Sequence, residues 1–407
     1  MMTDRKSQIN FIFSSDHHWD ALLTPVRASG LGAALDTASR GNKTLLLEKF
    51  DFAKGPSSIS PKLVHGGGRY LQNGDISLVI EALQERDIMR EKAPHLVSNL
   101  SFVMPSYDWW NNPFLWDWSK NLFHDGLRSG VIYQDGSFDD SCMTMALMRT
   151  AQTRGATLLS YIEVLDFIKT HDEGFSGVII RENINNTPLE NQSKVMINAT
   201  VVFSDQLIQQ DHSSAKAKIQ SSEGVHLVLD QEFLDSDKAI MVTQTTDRKV
   251  LFASLRPLAT GNNDAKKAKE GSRHREILLC TSGLVNILGG KWATHSKIAQ
   301  DAIDTAYVMD GLAERKGDTP LLPIHGFEFE NNNQNPLKSY VMDAQKVRAL
   351  DKKGNQSLSN KLYLSKNQII WSIKRDMVCC LEDVLSHTTS CLFLDAKESL
   401  AITPLAA

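Results

Sequence analysis

Three neighbouring stretches predict an α/β fold. Residues 19–24 (WDALLT) form an apolar run, residues 30–40 (GLGAALDTASR) are rich in small residues, and Thr44, Leu45, Leu46 and Leu47 form a second apolar run that stops at a carboxylate, Glu48. Short apolar runs read as buried strands, and the small-residue stretch between them reads as a helix able to approach a sheet closely. Strand, helix and strand together make a βαβ unit of the length used to bind a dinucleotide, a Rossmann-like arrangement. In such a unit the acid that ends the second strand hydrogen-bonds a ribose, which assigns that role to Glu48.

The next loop continues the theme. It holds Gly55, Pro56, Ser57, Ser58 and Ser60, and leads into Lys62, Leu63, Val64, His65, Gly66, Gly67, Gly68, Arg69 and Tyr70. Glycines let a backbone approach a flat ring, and hydroxyls and amides supply hydrogen bonds to a pyrophosphate. The first phosphate turn departs from the usual glycine fingerprint, whose three positions are here Pro25, Arg27 and Gly30. Pro25 removes an N–H from the turn, while the Arg27 side chain takes up room beside the diphosphate and offers it a positive charge.

Composition bounds the rest. A chain of 407 residues with 42% hydrophobic content buries a large core and divides into two or three domains. A net charge of -4, with Lys and Arg scattered rather than striped, gives no reason to expect nucleic acid. The five cysteines (Cys142, Cys280, Cys379, Cys380, Cys391) show no metal-ligand spacing and read as reduced thiols of a cytosolic protein, so no metal is expected. Residues 1–18 read as a flexible arm without a long apolar core. No later run is long enough to span a bilayer, so the chain is expected to be soluble or to lie against a membrane surface.

Further along, residues 76–90 have helical apolar spacing, and Trp109, Trp110, Trp116 and Trp118 form a cluster read as a packed core or interdomain wedge. Residues 125–140 and 156–164 read as strands and 143–153 as a helix. Strands at 178–181 and 195–198 flank a polar run, 182–194, expected to be a hairpin loop. Residues 221–229, 239–242 and 250–253 continue as strands, residues 283–297 as a glycine turn and helix, and residues 319–407 as a helical region. Within that region Cys379, Cys380 and His387 fit a core-and-surface pattern better than a metal site.

The serine pair, KLVHGGGRYL and the flank GLGAALDTASRGNKTLLLEKFDFAKG resemble the FAD-dependent glycerol-3-phosphate dehydrogenases, bacterial type. The resemblance implies a Rossmann-like FAD-binding domain (19–75 with 125–160, 190–205 and 283–305), a mixed or antiparallel-sheet substrate domain (76–124 and 206–282) and a C-terminal helical domain (319–407). It implies oxidation of sn-glycerol 3-phosphate to dihydroxyacetone phosphate, with electrons passed to quinone at the inner face of a membrane. Residue by residue it implies His226 as base, with Arg256 and Arg273 clamping phosphate and Arg69 and Tyr70 at the pocket wall. Lys291 falls near the flavin ring, and Gly30, Glu48, Ser57, Ser58, Lys62, His65, Gly66, Gly67, Gly289 and Gly290 fall to the cofactor. Departures from the pattern are Val201, where a glycine normally follows Thr200, and Ala293, His295 and Ser296, where threonine, tyrosine and arginine are usual. Two other readings stay open: a non-catalytic remnant that no longer binds FAD tightly, and an amino-acid oxidase, which the arginine pair fits less well.

Overall fold

The computed structural model describes residues 4–14, 17–25, 28–55, 58–64, 76–106, 129–226, 239–240, 252–259, 276–308, 312, 315–328 and 337–406. Its centre is a sheet in which Glu276–Leu279, Val285–Leu288, Thr187–Ala199, His18–Pro25, Thr44–Leu47 and Thr157–Leu159 lie side by side in that order. The strand His18–Pro25 pairs in parallel with both Thr44–Leu47 and Thr187–Ala199, and Val285–Leu288 joins Thr187–Ala199 in parallel. Thr44–Leu47 in turn pairs in parallel with Thr157–Leu159. The α/β prediction and its Rossmann-like unit hold.

Side chains alternate across this sheet because a strand has a period of two. Ala21, Leu23, Leu46 and Ile197 belong to a core on one face. Leu22, Leu45, Leu47 and Met196 belong to a second core on the other. A strand covered on both faces needs no polar positions, which is why these runs are continuously apolar in sequence.

The first core is roofed by the helix Ala28–Ser39, which packs against the helices Asp140–Thr153 and His295–Val308. Its small residues make that approach possible. A Cβ added at Gly32 would stand 3.2 Å from His295 Cδ2 and 3.3 Å from the His295 carbonyl oxygen, tighter than ordinary contact.

The second core is covered in part by the N-terminal residues, and here the expectation of a flexible arm gives way. Arg5–Ser14 is a helix whose Ile12 is buried in that core. Gln8 is buried as well, and its Oε1 accepts a hydrogen bond from the Leu158 backbone N–H at 2.9 Å. Arg5 donates to the Ser160 carbonyl at 3.1 Å and pairs with Glu182. The helix is thus held by the outermost parallel strand, whose free edge it satisfies.

Other differences are local. The polar run 182–194 is mostly strand: Phe175–Glu182 and Thr187–Ala199 form an antiparallel pair with only a short turn between them. Its polarity reflects a hairpin projecting beyond the parallel core. The stretch 156–164 divides into Thr157–Leu159 and Ile162–Lys169, because Tyr161 adopts a left-handed backbone with φ 60°. Pro257 lies within the strand Phe252–Ala259 rather than in a turn.

A separate sheet pairs Val97–Ser106 with Ser129–Phe138 over ten positions. Ile219–His226 and Phe252–Ala259 form a two-stranded antiparallel ribbon. The C-terminal region is helical as expected, but in short pieces: Lys366–Trp371, the π-helical turns Ser372–Asp376 and Asp383–Thr388, and Ala396–Ala406. The tryptophan cluster at 109–118 lies outside the described residues. Among the described residues no helix is long and apolar enough to cross a membrane.

Removing the buried acceptor of Gln8 leaves the Leu158 N–H unsatisfied, a loss of about 1–3 kcal/mol. Gln8→Ala should lower unfolding free energy in urea by that amount, and an unchanged midpoint would mean that the helix does not stay docked in solution.

Candidate functional site

Because Thr44–Leu47, His18–Pro25, Thr187–Ala199 and Val285–Leu288 run in one direction, their C-terminal ends reach one edge of the sheet. Ligands of open α/β sheets bind at that edge. It gathers Thr24, Glu48, Thr200, Val201, Gly289, Gly290 and Lys291, residues far apart in the chain.

Glu48 is 3% exposed. Its backbone N–H extends the sheet to the Leu159 carbonyl at 2.8 Å, and its Oε1 accepts from the Phe50 N–H at 3.2 Å. Burial, with the nearby charge of Asp51 added, pushes its acid well above the ordinary carboxylate range. Thr24 Oγ1, at the end of the central strand, and Ser296 Oγ, in the first turn of His295–Val308, are buried without a hydrogen-bond partner among the described residues. Such groups are costly to bury unless something satisfies them.

Glycines shape the closing turn. Gly289 and Gly290 have φ 74° and 102°, a conformation that side chains resist. A Cβ at Gly290 would also come within 2.5 Å of Ile298 Cδ1 and 3.8 Å of Ser29 Oγ, so the turn lies against the start of the glycine-rich helix.

Opposite this turn stands Val201, where a glycine was expected. Its φ is 52°, a conformation in which a β-branched residue is an outlier. The surrounding hydrogen bonds impose it. Asn198 Oδ1 accepts from the Thr200 N–H at 3.1 Å and the Thr200 hydroxyl at 2.7 Å, and Asn198 Nδ2 donates to the Ser204 carbonyl at 3.3 Å. Asn198 is itself fixed by Asn286 on the neighbouring strand, whose Oδ1 accepts from Nδ2 at 2.7 Å. The backbone therefore keeps the glycine-type turn while the residue has changed.

The other residues singled out in the sequence fall in three places. Gly30 is buried in the glycine-rich helix, and Ser58 is buried with its hydroxyl donating to the Gly55 carbonyl at 3.3 Å. Lys62 is engaged by Asp140 through a short ion pair, which ties the loop to the start of Asp140–Thr153. His226 and Arg256 lie on the two-stranded ribbon: Arg256 pairs with Ser222 and His226 with Phe252, four steps away along the strands. Ser57, His65, Gly66, Gly67, Arg69, Tyr70 and Arg273 lie outside the described residues.

Several groups were given no role in the site by the sequence reading. Thr24 carried no signal beyond its place at a strand end. Lys92 is buried, and desolvation draws its ammonium down to about 8 despite Glu85 nearby. His295 Nδ1 lies 2.8 Å from the Trp292 carbonyl oxygen, and burial together with the charge of Lys92 lowers it to about 4, so the ring is neutral. Asp51, Asp383 and His387 form a buried cluster that joins the C-terminal region to the loop after Glu48.

An acid at the end of the second strand of a βαβ unit marks a protein that binds a dinucleotide at this edge. Residues 28–281 match the family described as FAD dependent oxidoreductase, and the chain belongs to that family. The residues present fit FAD: the Glu48 carboxyl is a hydrogen-bond acceptor at the second strand's end, the Thr24 and Ser296 hydroxyls are buried without a partner among the described residues, and Gly289 and Gly290 hold a turn that side chains resist.

The chain is 26% identical to a mitochondrial glycerol-3-phosphate dehydrogenase of Saccharomyces cerevisiae, over 94% of this chain and 84% of the yeast protein. It is 29% identical to the bovine mitochondrial enzyme of that name over 79% of this chain, which spans only 57% of the bovine protein. The solved structure of the glycerol-3-phosphate dehydrogenase from Bacillus halodurans complexed with FAD superposes with a TM-score of 0.70 at 22% identity. That match covers 100% of this chain and 94% of the other. The kinship read from the sequence is borne out.

Two measurements follow from the geometry. Relief of the strained turn offsets part of the burial lost in Val201→Gly, so unfolding free energy should fall by about 1 kcal/mol or less. A loss above about 3 kcal/mol, the range of an ordinary core deletion, would show that the turn is unstrained. For Glu48 the folded acid is raised, so its contribution is full below the ordinary value of 4.5 and is lost as pH rises through the folded one. In the cofactor-free protein Glu48→Gln should therefore flatten the fall in melting temperature above that pH, and an identical pH profile would refute the burial argument.

Proposed function

We propose that the protein oxidises the secondary alcohol of sn-glycerol 3-phosphate to dihydroxyacetone phosphate and passes the electrons to a quinone while in contact with a membrane surface. The observation that carries this reading is the alignment with the yeast dehydrogenase along nearly the whole of both chains. Bound FAD supplies the acceptor for the substrate's hydride.

The protein's part is binding, orientation and proton handling. Arg256 and Arg273 hold the phosphate, because guanidinium forks match phosphate oxygens, and Arg69 and Tyr70 complete that wall. His226 takes the hydroxyl proton, a task suited to a group that titrates near neutral pH. Lys291 places positive charge where the cofactor becomes more electron-rich. Glu48 holds the ribose, while Gly30, Ser57, Ser58, His65, Gly66, Gly67, Gly289 and Gly290 let backbone and hydroxyls close around the cofactor. Lys62 acts one step back, by fixing that loop to Asp140. The antiparallel ribbon supports the pairing of base and phosphate clamp, since its register carries both His226 and Arg256.

The first test is the visible spectrum of the purified protein without oxygen, before and after addition of glycerol 3-phosphate. Flavin bands that bleach support the reading, whereas a colourless protein that takes up no FAD sinks it and leaves the non-catalytic remnant. In an active protein Arg256→Ala should raise KM by about 10–100-fold, the worth of a charge-assisted contact to phosphate. A KM unchanged by that substitution would remove Arg256 from the phosphate site.

A further inference from the structure

We infer that His387 is a positioning residue of the cofactor site, joining the C-terminal helical region to the loop that follows Glu48 and fixing that loop's shape. The inference rests on the reading that FAD binds beside Glu48. His387 Nδ1 lies 3.2 Å from Asp51 Oδ2 and 3.6 Å from Asp383 Oδ1. All three residues are at most 3% exposed. Asp51 belongs to the loop after Glu48, and its Oδ2 also accepts from the Ala53 N–H at 3.2 Å. The carboxylate thus organises its own loop on one side and takes an imidazole from a distant segment on the other.

A histidine with two carboxylates is also a metal-ligand set, and the ligand atoms lie within 4.8 Å of one another. The surroundings of Asp383 favour a proton over a metal. Tyr161 Oη donates to both Asp383 oxygens at 2.9 Å, and the Cys379 and Cys380 N–H groups donate to Oδ2 at 2.9 and 3.1 Å. With those lone pairs taken, two buried carboxylates are best balanced by an imidazolium. Burial opposes that charge, but contacts with Asp383 and Asp51 outweigh it and raise His387 to about 9. Burial likewise works against Asp383, yet His387 and its other donors hold it at about 2.

The charged and titratable groups around the cluster come from every packed element. The post-Glu48 loop contributes Asp51 and Glu48, the turn after Thr157–Leu159 contributes Tyr161, and the C-terminal region contributes Asp383, Cys379 and Cys380. Arg5 acts from the N-terminal helix, and Lys54 and Glu382 form an exposed pair at 3.6 Å. Tyr161 is pushed far above its ordinary value, by burial first and then by Cys380 and Asp383, so it stays a donor. His387 loses its charge in the alkaline range, below the Cys379 thiol, which burial pushes up to about 11. A raised base contributes fully below its ordinary value of 6.5, and its hold is lost as pH rises through about 9.

The test is fluorescence titration of the full-length protein with FAD at pH about 7 and about 9.5, alongside His387→Arg, His387→Gln and Asp51→Asn, with circular dichroism to establish that each is folded. Wild-type affinity should fall about fourfold at the higher pH, where about three quarters of the imidazolium is lost, the arginine variant should stay tight at both, and the glutamine variant should be weak at both. If the arginine variant fails to fold, Asp51→Asn serves in its place and should bind weakly without pH dependence. Wild-type affinity equal at the two pH values, or a glutamine variant as tight as wild type, overturns the role of His387. Retained flavin that glycerol 3-phosphate does not bleach would refute the substrate reading and leave this inference standing. Failure to take up FAD at either pH overturns both.

Discussion

The parallel pairing of His18–Pro25 with its two neighbours is the constraint on which the rest depends. Leu22 faces Leu45 and Met196 across the ladder, and Leu23 faces Leu46 and Ile197. A shift of one residue would exchange the two faces of every strand. That register aligns the strand ends, so a carboxylate from the second strand, an asparagine-held turn and a double glycine arrive at one place without contacting one another in sequence. Apolar packing, which has no chemistry of its own, thus determines where chemistry can occur.

Charge is handled differently at the edge and behind it. Lys62 with Asp140, and His387 with Asp51 and Asp383, are buried or half-buried pairs in which each charge meets its opposite. Arg40 with Asp36 follows the same rule within the glycine-rich helix. Glu48 differs, since the charge beside it belongs to another acid, Asp51, and its donors are backbone amides. A buried acid supported so sparingly is stabilised by a ligand with hydroxyls to donate, whereas the paired charges behind it keep the loop in shape.

Much of this was legible in the sequence. Apolar runs announced the parallel strands because both their faces are covered, and small residues announced the helix because only they permit its close crossing. The place of Glu48 at the end of the second strand could be read from the sequence alone. The N-terminal helix was not legible, since its hold on the sheet comes from Gln8 and Arg5, polar residues whose partners lie 150 and 155 positions away. The imidazole bridge was missed for a similar reason: Asp51 lies more than 300 positions from Asp383 and His387 and is brought to them only by the fold. The glycine-type turn at Val201 was read from the wrong residue, because the geometry is carried by Asn198 and Asn286 rather than by the residue that adopts it.

The seat of the N-terminal helix bears on the order in which the chain can assemble. Arg5 and Gln8 bind Ser160, Leu158 and Glu182. On a ribosome the helix emerges before the strands it binds, and its binding surface is complete only when the hairpin beginning at Phe175 has followed. An element that must wait for so distant a partner pays the loop-closure entropy late and leaves Ile12 exposed in the meantime. A segment made well before its partners is therefore among the last to be secured.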